Sequence, residues 1–146
     1  MLLTGLNASV LEDQVGKKYV WGAKPCKNLN GCSSYDCSAL VQWNILTTVG
    51  KTVPRTIKGM VDSNLFRVIK IKDLQVGDVL LWGVRKGYPS HASIYLGSGL
   101  HISAEHPDFG VVVVKLWKHQ RLGKWRGGYY VTHYNKNDLN RILRLK

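Results

Sequence analysis

Two halves of different character predict an α+β fold, with helices first and an antiparallel sheet afterwards. Apolar residues recur at helical spacing early in the chain, while branched and aromatic runs separated by glycine-containing turns fill the later part. A length of 146 residues with 45% hydrophobic content suits a single core. A short helix is expected from Ala8 to Val15. The residues Ala39, Leu40, Val41, Trp43, Ile45, Leu46 and Val49, closed by Gly50, then mark a mostly buried helix from Cys37 to Val49, with Asp36 or Ser38 able to cap its first turn. Another helix is expected from Pro54 to about Asn64. Strands are expected at Asp78 to Trp82, His91 to Leu96, Leu100 to Ser103, Val111 to Trp117 and Tyr129 to His133. The tail from Asn137 to Lys146 reads as a short basic helix docking Leu139, Ile142 and Leu143 on the body. No repeat or second domain is evident, so residues 1–146 are read as one domain carrying a basic C-terminal segment, 118–146.

A reactive thiol is the first chemical expectation. Cys37 stands between Asp36 and Ser38 at the head of its helix, where unpaired backbone amides favour the thiolate, the nucleophilic form. His91 opens a strand and supplies a base that can take the thiol proton and return it to a leaving group. Either residue alone is weak evidence, because an isolated cysteine is more often a small buried hydrophobe. Their setting adds the weight. Tyr19-Val20-Trp21-Gly22, Asp36-Cys37-Ser38-Ala39-Leu40-Val41, Pro54-Arg55, Gly77-Asp78-Val79-Leu80 and His91-Ala92-Ser93-Ile94-Tyr95-Leu96-Gly97 follow one another in that order.

This ordered set, spanning roughly residues 10 to 117, resembles the signature of the NlpC-type papain-like cysteine peptidases. The resemblance implies a papain-like fold, N-terminal helices packed on an antiparallel sheet, and hydrolysis of an amide in the peptide stems of bacterial peptidoglycan. It makes Cys37 the nucleophile and His91 the base, and it places Tyr19, Asp36 and Ser38 along the substrate cleft, although Asp36 can equally serve only as a helix cap. The third catalytic position, which orients the imidazole, falls by ungapped count on Ser103. His101, two residues earlier on the same strand face, is an even alternative if the strand is bulged, with His106 a distant third. Three positions usually held by glycine are Ala23, Ala39 and Ser93, each expected to add a side chain beside the cleft. An inactive wall-binding module that keeps the fold is the corresponding alternative.

Cys26 and Cys32 flank a polar turn and form either a disulfide or two reduced thiols. A zinc site from the three cysteines lacks the paired short spacings of structural zinc modules, and His101 with Glu105 and His106 has one residue too many for an inverted zinc-peptidase motif. No metal and no cofactor is therefore expected, and Glu105 and His106 are kept as rim residues. The loop from Gly83 to Ser90 reads mainly as a solvated connection, with Arg85 and Tyr88 as possible substrate contacts. Trp117, Trp125, Tyr129 and Tyr130 are expected to pack the core rather than to stack on saccharide.

The 21 basic and 9 acidic residues give a net charge of +12, and beyond Lys115 the only acid is Asp138. Such a field attracts polyanions: stem-peptide carboxylates and anionic wall polymers for a wall enzyme. A nucleic-acid-binding module using Trp125, Tyr129, Tyr130 and Tyr134 would share the charge but leave the cysteine, histidine and glycine-aspartate motifs unexplained. The sequence reads as having neither a signal peptide nor an apolar run long enough to span a bilayer. It is expected to act as a monomer in the cell wall or outside the cell, delivered by a phage, a secretion apparatus or a larger parent protein.

Overall fold

The computed structural model describes residues 10–125 and 128–146, with the side chains of residues 125 and 128–133 outside that description. Two short strands, β1 (Lys18–Tyr19) and β2 (Ser34–Tyr35), pair in parallel just before helix α1 (Cys37–Val49). Helix α2 (Ile57–Asp62) follows. The chain then forms β3 (Phe66–Ile69), β4 (Val79–Trp82), β5 (His91–Gly97), β6 (Leu100–His106), β7 (Gly110–Lys115), β8 (His119–Trp125), β9 (Gly128–His133) and β10 (Leu139–Leu145). Six of these make one antiparallel sheet in the order β3-β10-β4-β5-β6-β7, and β8 pairs with β9 in a separate ribbon. This is the α+β, papain-like arrangement.

Helix α1 starts and stops where its ends are chemically satisfied. Asp36 caps the first turn by accepting from the Ala39 amide, and Gly50 closes the last turn at φ 71° with its N–H on the Leu46 carbonyl. Its interior is buried on several sides, Leu40, Val41, Trp43 and Ile45 included, because it runs through the main core and packs on β5 and β6. Val79, Leu81, Ala92, Ile94, Ile102 and Ala104 supply the sheet side of that core. The opposite sheet face has a second core of Leu80, Trp82, Val114, Leu116, Tyr134 and Ile142.

The tail departs from expectation. Residues 139–145 are not a basic helix but β10, an interior strand between β3 and β4. Ile142 belongs to the second core and Leu143 to the first, so these neighbours point to opposite faces, as strand geometry requires and one helical stripe does not. A strand covered on both faces loses the alternation that would have revealed it. The same holds for β4, buried at all four positions. Arg144 binds buried Asp78 at 2.7 and 2.8 Å, so the glycine-aspartate motif ties β4 to β10. Of the expected first helix, residues 10–12 are helical and 13–16 are turn, while its start lies outside the described residues. The helix expected from Pro54 is shorter, because Thr56 caps it and Ser63 ends it.

Candidate active site

The thiol side is assembled around the head of α1. Cys37 is the first helical residue and is 9% exposed. The Asp36 carboxylate accepts from the Ala39 amide at 2.8 Å and the Ser38 hydroxyl at 3.3 Å through Oδ1. Through Oδ2 it accepts from the Gly22 amide at 3.0 Å and from Arg55 at 2.8 Å. Arg55 also donates to the Ser38 hydroxyl at 2.9 Å and to the Ala23 carbonyl at 2.8 Å. Burial pushes the Asp36 carboxyl up, but the Arg55 hydrogen bond and the backbone amides outweigh it and hold the group below the usual carboxylate range. Asp36 and Ser38 thus border the cleft while also clamping the segment before the cysteine. Arg55 was legible only as part of the Pro54-Arg55 motif, and its ion pair required the fold.

Tyr19 lies half-buried at the end of β1. Burial first, and then the neighbouring Cys37 and Asp36, push its hydroxyl up to about 12 against the opposing charge of Arg55. It stays protonated and so can donate a hydrogen bond.

The imidazole side is assembled across strands. His91 Nε2 is 3.3 Å from the Ser103 hydroxyl and 3.4 Å from Glu105 Oε2. Ser103 donates to the same Glu105 oxygen at 2.6 Å, and the Tyr134 hydroxyl donates to Glu105 at 2.6 and 2.7 Å. Cys37 lies near enough to the ring to act on its charge. Burial alone would lower the His91 pKa, but the hydrogen bonds and charges of Cys37 and Glu105 raise it to about 10. Glu105 moves the other way: burial raises it, and the bonds from His91, Ser103 and Tyr134 bring it well below the usual range.

Strand register explains this grouping. Ile94 pairs with Ile102, so three residues further along each strand Glu105 lies across from His91. Glu105 is also the extra residue of a bulge between Ala104 and His106 on β6, a device that re-aims a side chain at a site. The bulge that would have favoured His101 is elsewhere, between Tyr95 and Gly97, and His101 pairs with Tyr95. His101 is fully buried among Trp82 and Tyr134, with ring centroids at 5.6 and 4.4 Å, and among the described residues neither of its nitrogens has a hydrogen-bond partner. Burial drives its pKa down to about 3, so it is neutral at ordinary pH. Glu105, expected only at the rim, is instead the carboxylate beside the imidazole. His106 contacts Phe109 and Asp108, two residues away.

In front of Cys37 opens a cleft of about 630 Å³, bordered by Trp21, Asp36, Ser38, Arg55, Arg85 and Tyr88 among others. Within the Gly83 to Ser90 loop, Arg85, Lys86 and Tyr88 to Ser90 border this cleft, while Val84 to Gly87 are exposed to solvent. Of the three glycine replacements, Ala23 lines this cleft, Ala39 faces a neighbouring cavity, and Ser93 is away from both, accepting from the Trp82 indole at 2.9 Å. Cys26 and Cys32 form a disulfide, with Cα atoms 6.0 Å apart. His101 and His106 are on a strand rather than the helix a zinc-peptidase motif needs. Trp117 packs on Trp82 at 6.1 Å, and the buried Tyr134 faces Glu105. The side chains of Trp125, Tyr129 and Tyr130 lie outside the described residues.

A cysteine at the head of a helix packed on an antiparallel sheet, one strand of which begins with a histidine, is the arrangement of the papain-like cysteine peptidase class, to which the molecule belongs. More narrowly, the chain belongs to the NlpC/P60 family, whose pattern matches residues 16–134. It is 30% identical over 122 residues to the probable endopeptidase YafL of Escherichia coli K12, covering 80% of this chain and 47% of that protein. It is 26% identical over 121 residues to the murein DD-endopeptidase MepH of the same organism, covering 80% and 43%. The NlpC/p60 domain of the peptidoglycan hydrolase SagA superposes with a TM-score of 0.61 at 26% identity, over 77% of this chain and 90% of that domain. The chain spans less than half the length of these curated relatives. Among the described residues, no helix is long and apolar enough to cross a membrane.

Proposed function

We propose that residues 1–146 act as one catalytic unit that hydrolyses an amide in the stem peptide of bacterial peptidoglycan. Cys37 is the nucleophile, His91 the base and acid, and Glu105 the carboxylate that orients the imidazole. The observation that carries this reading is the His91–Glu105 pair, with Glu105 itself held by Ser103 and Tyr134, on the sheet against which the head of the Cys37 helix packs. The endopeptidase names of the relatives support the choice of substrate.

His91 takes the thiol proton, and the sulfur, favoured as thiolate by the imidazolium and the helix N-terminus, attacks the amide carbon. The C–N bond breaks as His91 delivers its proton to the departing amine. Water, deprotonated by His91, then cleaves the thioester, releasing the carboxylic acid and restoring the thiol. The carbonyl oxygen gains negative charge in both steps. In this reading the Cys37 backbone N–H at the helix head and the neutral Tyr19 hydroxyl are the donors offered to that charge.

Digestion of purified peptidoglycans of several wall types, read by mass spectrometry, tests the proposal. New stem-peptide fragments are expected with the wild type and none with Cys37→Ala. Retained hydrolysis by pure, folded Cys37→Ala protein would remove Cys37 from its role.

A further inference from the structure

The charge of the cleft is left unused by this mechanism. Its lining includes Lys24, Arg55, Lys58, Arg85 and Lys86, against a single acid, Asp36. Arg55 is occupied by Asp36 at 2.8 Å, and Lys58 by Asp62 at 3.0 Å. Among the described residues, no carboxylate lies within ion-pair distance of Lys24, Arg85 or Lys86. Three cations therefore face the cleft with their charge uncompensated.

Two of them are carried on a rigid support. Arg85 and Tyr88 exchange backbone hydrogen bonds of 2.6 and 3.0 Å, and the two residues between them have φ values of 52° for Lys86 and 83° for Gly87. Positive φ at both positions is the geometry of a two-residue type I′ hairpin turn, which favours asparagine or aspartate in the first place. The turn itself gives no reason for lysine there. The hairpin is also tied down: the Tyr88 hydroxyl donates to both Asp62 oxygens at 3.0 and 3.1 Å, and Lys58 sits 5.0 Å from the centre of the Tyr88 ring. Lys24 comes from a different segment, held between Ala23, whose carbonyl binds Arg55, and the Cys26–Cys32 disulfide. With the backbone already fixed, only the side-chain rotamers of these residues remain to be ordered when they meet a ligand.

We propose that Lys24, Arg85 and Lys86 make the cleft selective for stem peptides carrying free carboxylates beside the scissile amide, over the same peptides with those carboxylates amidated. The proposal rests on the peptidase reading above and adds the specificity-determining residues. A carboxamide keeps the shape of the carboxylate but loses its charge and exchanges one acceptor oxygen for an N–H donor, so only the salt-dependent part of the difference reports the electrostatic contribution.

The experiment uses matched synthetic stem peptides, α-carboxylate and α-carboxamide, with two readouts: kcat/KM with active enzyme, and calorimetric Kd with Cys37→Ala protein. A preference for the carboxylate of about tenfold or more is expected in both, the size of one charge-assisted hydrogen bond. Raising the salt concentration should shrink it. In Arg85→Gln/Lys86→Gln protein, with folding verified by melting temperature, the ratio should fall toward one, and Lys24→Gln should lower it separately. Equal handling of the two peptides by the wild type, or an unchanged ratio in the hairpin variant, overturns the proposal. So does binding to poly(glycerol phosphate) without any preference between the peptides. A binding preference without cleavage of any peptide or wall would retain the cationic cleft and refute the peptidase reading, so the two fail separately.

Discussion

Asp36, Cys37, Ser38 and Ala39 are consecutive, and the hydrogen bonds that set the thiol run mainly within that stretch and to Arg55. The imidazole, in contrast, takes its partners from β5, from a bulge on β6 and from Tyr134 beyond β9. One side is a helix cap, specified by local chemistry. The other is a register, specified only when the sheet closes. The thiol and the imidazole are thus under different kinds of control: the first is sensitive to the stability of one helix end, the second to the pairing of distant strands.

The largest effect is expected on the thiol side. Arg55→Met leaves the Asp36 side chain, 9% exposed, without its ion pair, and should cost about 3 kcal/mol of stability, read by denaturant unfolding. Because Asp36 is held below its ordinary range, the pair contributes above that range and its contribution is lost as pH falls through the folded pKa. The penalty should therefore shrink in acid. A penalty independent of pH would mean that Arg55 acts through packing alone.

On the imidazole side the loss should appear in rate. Glu105→Gln keeps the shape but removes the charge facing His91, and kcat/KM should fall about a hundredfold. With one of the two groups that raise His91 gone, its pKa should drop from about 10, and the alkaline limb of the pH–rate profile should move to lower pH. An unchanged limb with reduced activity would assign Glu105 to structure rather than to the orientation of His91.

The smallest effect separates the adjacent alternatives on β6. His101→Phe replaces a ring whose nitrogens lack partners among the described residues, so stability at neutral pH should change by no more than about 1 kcal/mol. The buried ring has a folded pKa near 3, below the ordinary value of 6.5. Wild-type protein should consequently lose stability as pH falls between those values, and His101→Phe should lose less. A hundredfold loss of turnover in this variant would restore His101 as the orienting group.

Much of the thiol side was legible in the sequence because a capped, glycine-terminated helix writes its chemistry into neighbouring residues. Asp36, Cys37 and Gly50 could be read directly. The His91 strand was equally readable, since its branched and aromatic residues are bounded by turns. Glu105 was missed because counting along one chain points to Ser103 and says nothing about the residue lying across from His91. The signal lay in the spacing of two strands joined by a short turn, and the bulges that shift their pairing left no clear mark in composition. The tail was misread for a related reason: Leu139, Ile142 and Leu143 fit a helical stripe on paper, while burial on both faces of an interior strand satisfies the same residues.

Residue type and near-neighbour spacing were enough to specify the fold class, the helix that carries Cys37, the strand that begins with His91 and the strongly basic charge, and the resemblance of five ordered motifs added the family. They were not enough to show that Glu105 rather than His101 faces the imidazole, that the tail is the inner strand β10, or that Arg85 and Lys86 border the cleft. Those outcomes depend on which distant segments share a hydrogen-bonded register or a common wall, and a one-residue change of register moves a side chain to the opposite face.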